Sequence, residues 1–120
     1  MTIKQIAETL GLQIMQPDFT DTDITWAYTG DLLSDVMGNA HPAREVAAGG
    51  GIFITIQAHK NTIAVATLAN FNAIIICNNR ECPEDMLEAA KEEDIAVLHT
   101  RENQFTIGGK LYTVMMEHKK

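Results

Sequence analysis

The stretch "IFITIQAHKNTIAVATLANFNAIIIC", Ile52 to Cys77, decides the fold. "IFITIQ" is a continuous apolar run of strand length, "TIAVATLAN" is an alanine-rich helical segment, and "AIIIC" is a second apolar strand. Strands that are apolar on both sides are covered on both faces. With short loops and a helix between them they predict parallel βαβ units. Between the first strand and the helix lies a polar knot, Gln57, His59, Lys60 and Asn61. It sits where α/β proteins usually hold their ligands.

Outward from this unit the alternation continues. Downstream, "PEDMLEAAKEED" reads as a helix and "IAVLHT" as another strand. Upstream, "GNAHPAREVAAGGG" reads as a loop, because Pro42 and the run Gly49 to Gly51 oppose regular structure. Before it, Asp31 is placed to cap a helix reaching about Asn39. Its apolar stripe is Leu32, Leu33, Val36, Met37 and Ala40. "ITWAYT" and "LQIMQ" are strand candidates. Thr2 with Gln5 forms a capping box for a first helix with Ile3, Ile6, Ala7 and Leu10 on one face, stopped at Gly11. The tail after Arg101 has two readings. "FTIGGKLYTV" could be a hairpin, whereas Phe105, Gly109, Tyr112 and Met116 keep helical spacing after a Thr100 cap, and a closing helix is favoured. The expected fold is a three-layer α/β/α sandwich with a mainly parallel sheet, one domain over residues 1–120.

Composition narrows the function. The 120 residues carry a net charge of -7, with 46% hydrophobic and 21% charged residues. An acidic surface argues against nucleic acid, whose affinity comes largely from Lys and Arg displacing counterions. No run approaches the about 18 apolar residues of a membrane span. The first residues lack the basic-then-apolar order of a signal peptide, and two cysteines make no disulfide framework, so a cytoplasmic protein with free thiols is expected.

If the sheet is parallel, four polar clusters share its carboxyl edge: Thr29-Gly30-Asp31, Gln57 to Asn61, Cys77-Asn78-Asn79-Arg80 and His99-Thr100-Arg101. Asp31, Ser34 and Asp35 share one face of the helix that follows. The candidate ligand-binding residues are therefore Thr29, Asp31, Ser34, Asp35, Gln57, His59, Asn61, Asn78 and Asn79. Capping by Asp31 and by Asn61 or Thr62 would explain much of the same pattern without a ligand. His59 could act as a general base, but no nucleophile motif accompanies it, and an inert turn histidine is the plainer reading. The glycine run precedes a strand instead of opening a helix, so it is not a phosphate loop, and no G-x-x-x-x-G-K-[ST] occurs. The four histidines are dispersed and Cys77 and Cys82 stand alone at C-x₄-C spacing, so neither metal nor cofactor is expected.

"YTGDLLSDVMGNA", "TIQAHKNTIAVA" and "AIIICNN" together resemble the stand-alone DRTGG-domain proteins, which are similar to the N-terminal domain of HPr kinase/phosphorylase. The resemblance runs over nearly the whole chain. It implies an α/β/α domain that is regulatory rather than catalytic, found beside ligand-sensing CBS domains or in acetyl-transfer enzymes, with some relatives associated with iron–iron hydrogenases. Many relatives end the central strand in a paired glycine where this chain has Asn78-Asn79, which puts close backbone approach to an anion in question. The resulting expectation is a non-catalytic regulatory or adaptor domain, homodimeric through an apolar face and linked to hydrogenase or metabolic regulation. Its partner would be a protein. The alternatives are a small-molecule, nucleotide-like sensor at the strand ends and, third, a small enzyme using Asp35 and His59.

Overall fold

The structure is a computed structural model that describes residues 1–40 and 50–118. Its elements run α1 (Ile3–Leu10), β1 (Gln13–Gln16), β2 (Ile24–Thr29), α2 (Leu33–Asn39), β3 (Gly50–Thr55), α3 (Lys60–Leu68), β4 (Phe71–Ile76), α4 (Glu84–Glu92), β5 (Ala96–His99) and α5 (Gln104–His118). The expected α/β/α sandwich is present. Five strands lie in the order β1-β5-β4-β3-β2, all neighbours parallel except β1, which runs antiparallel to β5.

Side-chain alternation along the central strands feeds two cores. Ile52, Ile54, Ala73, Ile75, Ala96 and Leu98 face α1 and α5, where Ile3, Ile6, Ile107 and Leu111 meet them. Phe53, Ile74, Ile76 and Val97 face the opposite layer, made by Val36 of α2, Ile63 and Ala66 of α3, and Met86 and Ala90 of α4. Burial on both faces is why these strands read as unbroken apolar runs. A register shift between Ile24 and Trp26 sends these near neighbours in β2 into different layers.

The first helix is as read: Thr2 and Gln5 form the capping box, and Gly11 closes it at φ 67°. The tail is helical. Asn103 Oδ1 accepts from the Thr106 N–H at 2.9 Å and so caps α5, while the Thr100 hydroxyl instead accepts from Glu102 N–H at 3.1 Å. Asp31 does not cap α2. Leu32 takes the cap position without a side-chain bond, because the Asp31 carbonyl is held by Gln57 Nε2 at 2.7 Å, away from the helix start. The apolar stripe of α2 is also narrower than expected. Val36 and Ala40 are buried, whereas Leu32 and Met37 are 63% and 56% exposed on a helix of only seven residues.

The glycine run belongs partly to a strand instead of a loop. Gly50 and Gly51 open β3, and a Cβ on Gly51 would strike the Trp26 indole, which packs tilted against the Phe71 ring with centroids 4.9 Å apart. Residues 41–49 of the predicted loop, Pro42 and Gly49 included, lie outside the described residues.

Candidate functional site

Parallel pairing of β2 to β5 brings all four polar clusters to one carboxyl edge. The two halves of that edge are built differently.

In the β2–β3 half the polar groups bond to one another. Gln57 donates through Nε2 to the Asp31 carbonyl, and its own backbone carbonyl accepts from the buried Thr62 hydroxyl at 2.5 Å. His59, rather than Asn61 or Thr62, caps α3: its Nδ1 accepts from the Asn61 N–H at 3.2 Å. Asp35 accepts from the Tyr28 hydroxyl at 2.8 Å and from Asn39 Nδ2 at 2.9 Å, and this bond raises the Tyr28 hydroxyl above its usual pKa. Thr29 Oγ1 accepts from Gln104 Nε2 at 3.0 Å, joining β2 to α5. Ser34 is exposed on α2. Among the described residues no hydrogen bond joins Asp35 to His59, the pair an enzyme reading requires.

In the β4–β5 half the connections diverge. The chain leaves β2, β3 and β4 for helices in one layer, but leaves β5 for α5 in the other. Adjacent loops that part to opposite faces open a crevice between them, the usual ligand position in open α/β sheets. The β4 loop turns through Asn78 and Asn79, both left-handed at φ 61° and 53°. Asparagine tolerates these angles, so the turn survives without the paired glycine of many relatives. Their N–H groups donate to the Glu102 and Thr100 carbonyls, each at 2.9 Å, and so stitch the two loops together instead of facing an anion.

Beside this seam lies a cavity of about 420 Å³ whose walls include Gln13, Asn79, His99, Arg101 and Glu102. Of these only Asn79 was a sequence candidate. His99 and Arg101 were visible as a strand exit, but Gln13 joins them only because β1 returns antiparallel with Gln13 opposite His99. That pairing is not a local property of the chain.

The cysteines are free. Burial, then the nearby Glu102 carboxylate, pushes the Cys77 thiol up to about 11, and burial raises that of Cys82. Neither has the lowered pKa of a nucleophile. Among the described residues no group of His, Cys, Asp and Glu is arranged to hold a metal ion, and no helix is long and apolar enough to cross a membrane.

The family described as HPr Serine kinase N terminus matches residues 54–115, just over half of the chain, from the end of β3 into α5. The chain belongs to this family. Its HPr-kinase-N-terminal-like domain is also similar to the crystal structure of the CBS and DRTGG domains of the regulatory region of Clostridium perfringens pyrophosphatase, complexed with its activator diadenosine tetraphosphate. The TM-score is 0.62 at 16% identity, over 89% of this chain and 44% of that one. This chain thus spans less than half of the structure it matches, and at that identity the likeness shows the fold. No curated protein matches.

Proposed function

We propose that this protein is a regulatory domain without turnover of its own, cytoplasmic and homodimeric, that passes on a binding event at its carboxyl edge. The observation that carries the reading is the self-bonded β2–β3 half: of the side chains best suited to chemistry, Asp35 accepts from Tyr28 and Asn39, Gln57 donates to the Asp31 carbonyl, and His59 caps α3. Supporting it, the matched pyrophosphatase segment is a regulatory region complexed with a nucleotide activator.

Residues 1–120 act as one domain in this reading, since one sheet serves both cores. The exposed side chains of Phe105 and Tyr112, two turns apart on α5, support self-association through an apolar helix face. A link to hydrogenase or metabolic regulation would come through a protein partner.

The test is incubation of the chain with nucleotides and acyl phosphates, followed by product analysis and native mass spectrometry. A dimer that leaves every compound intact is expected. Turnover that disappears in His59→Ala would overturn the reading. A ligand whose binding is lost in a Gln57→Ala, His59→Ala double variant would instead place sensing on the strand-end residues named from the sequence.

A further inference from the structure

We infer that the cavity at the divergence of β4 and β5 binds a small phosphate monoester carrying hydroxyl groups. The inference deepens the regulatory reading and rests on it, since it names the signal that such a domain would register.

Four observations converge. The cavity sits where the β4 and β5 connections part to opposite faces, the position that the geometry of open α/β sheets leaves accessible. Its volume, about 420 Å³, falls in the range of small-molecule sites. Arg101 lines it, and among the described residues Arg101 has no carboxylate within ion-pair distance, although the chain carries an acidic excess of 7. A guanidinium left unpaired on an acidic protein offers a bidentate fork for a phosphate or carboxylate. Asn79, Gln13 and His99 line the same cavity, and their side chains carry further hydrogen-bond donors. Several donors from separate elements suit the three terminal oxygens of a phosphate better than the two of a carboxylate.

The other end of the cavity has the opposite character. Leu10 and Gly11 bring the carbonyl end of α1, where the helix dipole is negative, and Glu102 adds a carboxylate. Glu102 Oε1 already accepts from Lys110 Nζ at 2.8 Å, which moderates its repulsion and leaves acceptor capacity. An anion alone would gain nothing here. Hydroxyl groups would donate to these acceptors, so the complementary ligand has a phosphate at one end and a short polyol at the other. The net negative field opposes non-specific anion binding, so occupancy depends on these local contacts.

The experiment is titration of the full chain with inorganic phosphate and, separately, with ribose 5-phosphate, reading amide shifts by ¹⁵N–¹H NMR and the probe by ³¹P NMR. Saturable shifts at Asn79, His99 and Arg101 are expected, with tighter binding of ribose 5-phosphate. Arg101→Ala should weaken that binding by about tenfold or more, the scale of one charged hydrogen-bonded contact, while Gln57→Ala leaves it unchanged. Arg101→Lys should recover only part, because a point charge lacks the fork. The absence of shifts at these residues, or shifts undiminished in Arg101→Ala, would overturn the site. Equal affinity for the two probes would overturn the polyol end. Release of phosphate from the probe is a separate outcome, since it would refute the regulatory reading even if the cavity fills.

Discussion

The two halves of the carboxyl edge use the same residue types to opposite ends. At β2–β3, Asp35, Gln57 and His59 spend their hydrogen bonds on Tyr28, Asp31 and Asn61. At β4–β5 the backbone seam is equally complete, yet Arg101 stands beside a cavity without an ion-pair partner among the described residues. Polar residues at a strand end are thus ambiguous in sequence. What separates scaffold from site is whether the connections that follow stay on one face or part.

The largest effect is expected at Thr62. Thr62→Val keeps the shape but strands the half-buried Gln57 carbonyl beside the fully buried Thr62 side chain, and an acceptor left unsatisfied there costs about 1–3 kcal/mol. Denaturant unfolding would measure it, and an unchanged midpoint would mean that the β2–β3 half is not held as described. Next comes Asn78→Val, which forces a β-branched residue into the left-handed region at a cost of about 1–2 kcal/mol, whereas Asn78→Gly should be nearly neutral. His59→Ala removes a cap and should cost about 0.5–1 kcal/mol without altering phosphate-ester binding. Arg101→Ala should do the reverse, changing stability by less than about 0.5 kcal/mol while weakening the ligand.

The smallest effect at neutral pH belongs to Cys77. Its thiol stays protonated in the fold up to about 11, against 9.0 for an ordinary thiol. Between those values the native state therefore holds a proton that the unfolded chain has released, and rising pH favours unfolding. The melting temperature should fall across that window and do so less steeply in Cys77→Ala. The same thiol should resist alkylation at pH 8 until the protein unfolds.

Features written in neighbouring residues were legible in the sequence. The α1 capping box and its Gly11 stop were readable because cap and partner lie within one turn. The apolar β3, β4 and β5 runs betrayed a sheet covered on both sides. Asp31 misled because a contact 26 residues away, from Gln57, competes with local capping. The α3 cap was misplaced because the Thr62 hydroxyl points back to Gln57, which leaves the role to His59. Gly50 and Gly51 read as loop because their reason is spatial: the Trp26 ring and the Asn72 side chain occupy the places of their Cβ atoms. The cavity was least visible of all, since its walls come from opposite ends of the chain.

The antiparallel return of β1 also bears on how the molecule opens. Gln16 donates to the Ile95 carbonyl across 79 residues, and Gln13 pairs with His99 over a still longer span. Closing so long a loop carries more entropic cost than the sequential β2–β3–β4–β5 pairings, and β1 is a four-residue edge strand. Hydrogen exchange should therefore show β1 peeling away while the parallel core remains protected. Each such excursion would dismantle one wall of the cavity, and a molecule bound there would act as a clasp, holding the two ends of the chain together.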